Sequence, residues 1–250
     1  MSSRSARIQV LVAEQAARRG ARVSVVDVCV AAVTALPVGG AGVSAMSRST
    51  ASHPLCSTDD VSAQLEELQL TLGEGPRVDA FALGVAVLTP DLLSDEVLDR
   101  WPVFAPAATE AGAQAVFAFP LQIGAISPGV LDLYADVADE LDAEDLADAM
   151  AFADTATLIL LDTAIDEPDG HVRDLGGYRA EIDQATGILT EQLGVGIEEA
   201  FVRLRAHAYA HGRRLAEVAA DVVARRLRFA PDTTPDTTPD TARDEADDDA

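Results

Sequence analysis

Four short apolar runs in the first half of the chain, GAGVSAMS (40–47), VAVLT (85–89), AVFAFPLQIG (115–124) and GVLDLYAD (129–136), have the length and bounding turn residues of β-strands. The last two are separated by AISPG (125–129), whose Pro128 and Gly129 predict a tight antiparallel hairpin. In VLDLYAD, Val130, Leu131, Leu133 and Ala135 are apolar while Asp132, Tyr134 and Asp136 fall largely on the other side, so one face of the sheet should be solvated or covered by helices. Helical periodicity marks SARIQVLVAEQAARRG from Ser5, SVVDVCVAAVTAL from Ser24, STDDVSAQLEELQLTLG from Ser57 and DAEDLADAMAFADTATLILLDTAID from Asp142. Asp59 and Asp60 at the start of the third and Gly73 at its end are placed as helix termini favour.

Three further helices follow. Tyr178–Gln192 carries Ile182, Ala185, Leu189 and Leu193 in one stripe, and Ile197–Tyr209 carries Ile197, Ala200, Phe201, Leu204 and Ala208. The third runs from about Arg214 through Val218 and Val222 to Arg228, with Arg225, Arg226 and Arg228 at its C-terminal end. Three short stripes of this kind converge on one small core. Gly187 lies inside the first helix, where glycine costs about 1 kcal/mol relative to alanine. Either a neighbouring helix or an external ligand must approach the backbone there, or the glycine serves packing alone.

Punctuation divides the chain. DEPDGHVRDLGG (166–177) reads as a linker, and PDTTPDTTPD followed by TARDEADDDA as a low-complexity acidic tail expected to be disordered. The expected organisation is residues 1–165 as one domain with N-terminal and exit helices, 166–177 as linker, 178–228 as a three-helix unit and 229–250 as tail. The fold class is α+β: an antiparallel sheet flanked by helices, then a helical bundle.

Composition changes this picture in two places. A formal net charge of −24 argues against generic binding to polyanions, yet residues 171–230 hold nine Arg against eight acids and are alone in escaping the acidic bias. Every basic residue is Arg, which reflects compositional bias before it reflects function. Cys29 and Cys56 are too few for a disulfide framework and sit at no zinc spacing, and no signal-peptide core or transmembrane stretch is present, so a cytoplasmic protein is expected. LGEGPRVD (72–79) lacks the Lys and Ser/Thr of a phosphate loop and reads as a turn. No nucleophile, carboxylate pair or metal cluster stands at catalytic spacing; no enzyme, cofactor or metal is expected.

IDQATGIL followed by EEAFVRLRAHAYAHGRRLAEVAADVV closely resembles the ANTAR domain, a three-helix RNA-binding module of transcription antiterminators. LEELQLTLGEGPRVDAFALGVAVLTPDL, RWPVFAPAATEAGAQAVFAFPLQIG and GVLDLY resemble the GAF sensor domains that precede it in many actinobacterial regulators. The resemblance implies a GAF-like domain that controls an ANTAR bundle, with paired hairpins in nascent RNA as partner, a homodimer as the binding form and an unidentified small-molecule ligand in the GAF domain. The family's Ala-x-Gly step falls on Ala185 and Gly187. Its usual Lys is Thr186 here, and the Asn common before the third helix is Gly212. Carried over with the local arginines, the RNA-binding set is Gln184, Ala185, Thr186, Gly187, Arg203, Arg205, Arg213 and Arg214, with His207 and His211 able to stack on bases. For each Arg the alternative is a solvated face paired with Glu198, Glu199 or Glu217. A DNA-binding regulator is weaker because LAEVAADVVARR offers few base-reading side chains, and a protein-only adaptor draws support from Thr186 and Gly212.

Overall fold

The computed structural model describes residues 3–46, 53–124, 126–166 and 176–230. In chain order the elements are α1 (Ser3–Arg19), α2 (Val25–Ala35), β1 (Gly40–Ala45), β2 (His53–Ser57), α3 (Asp60–Leu72), α4 (Pro76–Leu83), β3 (Val87–Thr89), α5 (Asp95–Arg100), α6 (Phe104–Ala111), β4 (Ala115–Ile123), β5 (Ile126–Ala135) and α7 (Ala143–Asp166). The C-terminal unit consists of α8 (Gly176–Leu193), α9 (Ile197–Ala210) and α10 (Leu215–Val223). The expected linker lies largely, and residues 231–250 of the expected tail wholly, outside the described residues.

The five strands form one antiparallel sheet in the order β2-β1-β5-β4-β3. Because side chains alternate along a strand, the register Phe117↔Leu133 and Phe119↔Leu131 builds one face, and Val116↔Tyr134 and Ala118↔Asp132 builds the other. The first face packs under α1, α2 and α7 with Ile8, Val28 and Phe152. The second packs under α3 to α6 with Leu65, Trp101 and Phe104. Helices therefore cover both faces, and Asp132, expected on a solvated or helix-covered side, is buried beneath α3 and α4.

Several local expectations are corrected. The turn between β4 and β5 is not AISPG: Ile123 pairs with Ile126, Gly124 takes φ +59°, and Pro128 and Gly129 lie inside β5. Gly129 is required there for a different reason, since a Cβ would collide with the Ser44 carbonyl oxygen of β1. Gly129→Ala should therefore cost about 1–3 kcal/mol by forcing β1 and β5 apart, read as a lower urea midpoint. The segment around LGEGPRVD is more than a turn. Gly73 (φ +68°) ends α3, and Gly75 with Pro76 opens α4, proline being favoured where a helix N–H has no partner. Cys29 and Cys56, too few to form a disulfide framework, are joined as one disulfide that ties α2 to β2. The last helix is shorter than expected: α10 stops at Val223, Arg225 takes φ +60°, and Arg226 folds back so that its guanidinium pairs with Asp221 (2.7 Å).

Candidate nucleic-acid interface and its contact with the N-terminal domain

The C-terminal core is built from the three expected stripes: Ile182, Ala185 and Leu189 of α8, Ala200, Leu204 and Ala208 of α9, and Leu215, Val218, Ala219 and Val222 of α10 are all buried. Ala185 and Thr186 both belong to this interior. Thr186 is 5% exposed, and its hydroxyl donates to the Ile182 carbonyl (2.7 Å), so these two residues act on any ligand only through the position of α8. Gln184 is exposed and Gly187 half-buried. Nothing among the described residues lies within 4 Å of where a Gly187 Cβ would stand, so packing inside the chain does not demand glycine there.

The arginines divide by what holds them. Arg203 pairs along α9 with Glu199 (2.8 Å), as the bland reading of the sequence anticipated. Arg213 pairs with Asp221 (2.8 Å) and lies 3.9 Å from Glu217. Two hydrogen-bonded guanidinium partners, Arg213 and Arg226, hold the Asp221 carboxyl below its ordinary range. Arg214 precedes α10, is exposed, and its side chain has no partner among the described residues. His207 and His211 stack at 4.0 Å, one turn apart, and the Phe229 ring lies 5.0 Å from His207. Burial, followed by the charges of His211 and Arg213, lowers the His207 pKa and favours the neutral ring.

Arg205 is placed differently. Its Nε donates to the carbonyl of Thr71 in the last turn of α3 (2.9 Å), and a Cβ at Gly73 would collide with its guanidinium. A cation at the C-terminal end of a helix meets the negative end of the helix dipole. The reciprocal contact is made by Glu67 of α3, whose Oε1 accepts from the backbone N of Leu215 at the N-terminal end of α10 (2.8 Å). Leu70 of α3 completes the junction by joining the C-terminal core. Thus, among the described residues, α3 docks on α9 and α10 with Leu70 as an apolar contact and with Arg205 and Glu67 in polar ones. Replacing both polar partners, Glu67→Ala with Arg205→Ala, should separate the two units, read as a larger radius in small-angle scattering with the helical content unchanged. The sequence could not pair residues 134 and 148 positions apart.

Beneath α3 lies a polar cluster that the sequence reading did not identify. Arg77 is 1% exposed; its Nη1 donates to Ser44 Oγ (2.6 Å), its Nη2 to the Glu66 carbonyl (2.7 Å), and its Nε stands 3.9 Å from Asp132 Oδ2. Glu66 is 3% exposed, and among the described residues neither of its carboxyl oxygens, nor either of those of Asp132, has a partner in hydrogen-bonding geometry. Gln69 accepts from Arg77 N (2.8 Å) but leaves its own Nε2 unpartnered. Burial pushes the Glu66 carboxyl up to about 8 and Asp132 up to about 6. Arg77 opposes both shifts, and the Asp132 charge adds to that on Glu66. Ser44 and Ser57 also favour the charged form of Glu66.

The native state thus holds protons that the unfolded chain releases near the ordinary carboxylate range. Stability should be full below the unfolded value and fall as pH rises from about 4.5 toward about 8, on the order of 5 kcal/mol for Glu66 alone. Glu66→Gln should flatten that decline, measured as urea midpoints across the range.

With this geometry in view, the comparisons are specific for the C-terminal unit. Residues 177–223 match the family model described as the ANTAR domain, so the three-helix unit is an ANTAR domain. Solved structures similar to the chain include the GAF domain of a phosphoenolpyruvate-protein phosphotransferase from Coxiella burnetii, at 13% identity over 67% of this chain and 99% of that one, TM-score 0.48. The GAF domain of the Acinetobacter phosphoenolpyruvate-protein phosphotransferase follows at 11% identity, 68% and 99% coverage, TM-score 0.45. A type II free methionine-R-sulfoxide reductase from Thermoplasma acidophilum is also similar, at 20% identity, 36% and 59% coverage, TM-score 0.28. No curated protein matches the chain. No helix among the described residues is long and apolar enough to cross a membrane.

Proposed function

We propose that the chain is an RNA-binding transcription antitermination regulator, in which a GAF-type sensor domain controls an ANTAR domain that binds paired stem-loops in nascent transcripts. The observation that carries this reading is the ANTAR match over residues 177–223, on a unit in which, among the described residues, the Arg214 side chain has no partner and Gly187 faces open space. Loop bases in a hairpin are unstacked and offer faces and edges to guanidinium and aromatic groups, which a paired A-form helix conceals. Exposed Tyr209 and His207 lie on the same helix as Arg203, and His211, stacked on His207, caps its C-terminal end. One nearly neutral bundle binds RNA weakly, and two in a homodimer bind a matched pair of hairpins far better through effective concentration.

Control runs through α3 in this reading. Arg205 is occupied by the Thr71 carbonyl, so its contribution to RNA binding requires that the two units part. The exit helix α7 leads into residues that the structure does not describe, whereas the α3 contact joins the two units directly. The reaction assigned to the chain is binding alone, without a catalytic step.

Gly187→Ala separates the bare-backbone idea from simple packing. Its methyl group meets open space, so the bundle should gain about 1 kcal/mol of stability. Retention of a tandem-hairpin RNA in a gel should meanwhile weaken several-fold. A variant both more stable and equally retentive would remove Gly187 from the RNA surface.

A further inference from the structure

After α10 the chain is fastened to the bundle once more before it leaves it. The backbone N–H of Phe229 donates to Gln192 Oε1 of α8 (2.9 Å), and the Phe229 ring lies 5.0 Å from His207 of α9. Arg213 stands near that exit, since its charge acts on the His207 ring. Arg213 and Arg226 both close on Asp221, at 2.8 and 2.7 Å, which draws the start of α10 and the turn after it into one cationic surface. Between positions 213 and 228, five arginines stand against two acids, Glu217 and Asp221. Arg214, Arg225 and Arg228 are exposed, and their side chains have no partner among the described residues. Arg225 is also the single non-glycine residue among them with a positive φ (+60°). A helix end in that conformation favours glycine, so the arginine stands there at an energetic cost that no contact within the described fold offsets.

Directly beyond Ala230, residues 231–250 carry eight acids and one arginine: Asp232, Asp236 and Asp240 recur at every fourth position, and five further acids crowd positions 244–249. We infer that residues 231–250 dock on the arginine surface of their own bundle, where their carboxylates occupy Arg214, Arg225 and Arg228 and compete with the phosphates of RNA. A guanidinium takes a carboxylate and a phosphate in the same bidentate geometry, so the acidic segment and RNA are alternative ligands of one set of donors. Residues 1–170 offer the segment a poorer target, with 26 acids against eight Arg. Reach sets no limit: twenty extended residues span at most about 70 Å, whereas α8, the longest helix of the bundle, is about 27 Å long. Attachment to the same chain holds the acids at an effective concentration on the order of millimolar, enough for contacts that would be weak between separate molecules. Such a competitor lowers the affinity for every polyanion by a similar factor. Weakly held RNA is thereby excluded, while a matched pair of hairpins still binds.

The competition rests on the proposed RNA-binding reading, whereas the docking can be observed without RNA. Both are tested on the full chain and on a full-length variant carrying Asp244→Asn, Glu245→Gln, Asp247→Asn, Asp248→Asn and Asp249→Asn, all outside the folded cores. In amide NMR spectra without RNA at low salt, the variant should shift the signals of Arg213, Arg214, Leu215, Arg225 and Arg228, and about 0.5 M salt should erase the difference. In gel retention, the variant should hold a tandem-hairpin RNA on the order of tenfold more tightly than the parent at low salt, with the gap closing as salt rises. A peptide of residues 231–250 added in trans should bring the variant back toward the parent. Tighter retention without the amide shifts would mean diffuse repulsion of RNA, and shifts that grow with protein concentration would place the segment on a second copy; either overturns the inference. Equal retention by parent and variant overturns it while the RNA reading stands. The expected shifts, with RNA held by neither chain, uphold the docking and sink the antitermination reading.

Discussion

Arg77→Leu is expected to lower the unfolding free energy by about 3–5 kcal/mol at mildly alkaline pH, because it leaves two buried carboxylates facing each other without a cation. The loss should shrink markedly near pH 5, where Glu66 and Asp132 hold protons and the missing guanidinium is no longer opposed to two charges. The hydrogen bonds from Nη1 to Ser44 and from Nη2 to the Glu66 carbonyl vanish at either pH, so a residual cost remains. Urea unfolding of variant and parent at the two pH values reads the difference directly. A cost that is the same at both would mean that Arg77 serves packing and hydrogen bonding, with no electrostatic part. Adding Glu66→Gln to Arg77→Leu should restore part of the alkaline stability, since the pair are neighbours and their effects should not add.

The second large effect is expected at the start of α10. Arg214→Glu should weaken retention of a tandem-hairpin RNA on the order of a hundredfold, by exchanging a cation available to phosphate or base for an anion that repels both. Arg214 is the clean position for this test. Its side chain has no partner among the described residues, so reversal breaks no contact within the fold. Reversing Arg213 is less informative alone, because the new carboxylate would confront Asp221 and Glu217 and weaken α10 itself. An unchanged melting curve for Arg214→Glu, with RNA retention lost, places the effect at the surface.

Residues with strong periodicity disclosed most of the fold. The long helices α1, α2, α3 and α7, the three helices of the C-terminal unit and the β4–β5 pair were all readable from apolar spacing. The runs at β1 and β3 were readable as strands as well, but the other short elements were not. β2 is five residues containing Pro54, tolerated on an edge strand, and its spacing does not set it apart from a loop. Helices α5 and α6 are too brief for a periodic signal, and α4 was hidden by the glycines that flank it. The β4–β5 turn was misplaced because Pro128 and Gly129 are turn residues by habit, whereas here Gly129 answers the close approach of β1.

The candidate sites show the same division. The ANTAR stripe could be found in the sequence because adjacent helices share one core, and Ala185 and Thr186 proved to be part of that core. Arg205 looked like any other surface arginine until α3 was seen beside it. Glu66, Arg77 and Asp132 come from three elements and meet only through the sheet order, so no motif could announce them. One signal was available: Arg77 is the single basic residue between positions 49 and 99, an acid-rich stretch, and an isolated arginine there invites a search for buried partners.

The central claim is that the ANTAR domain of this chain captures paired hairpin loops, and it is tested most directly by gel retention of the full chain on a tandem-hairpin RNA across a salt series. Loop-substituted RNA and duplex DNA of the same sequence serve as competitors. The account predicts retention that depends on both loops, falls with rising salt and is lost in Arg214→Glu. Retention indifferent to the loops, preference for the duplex, or no retention at low salt would contradict it.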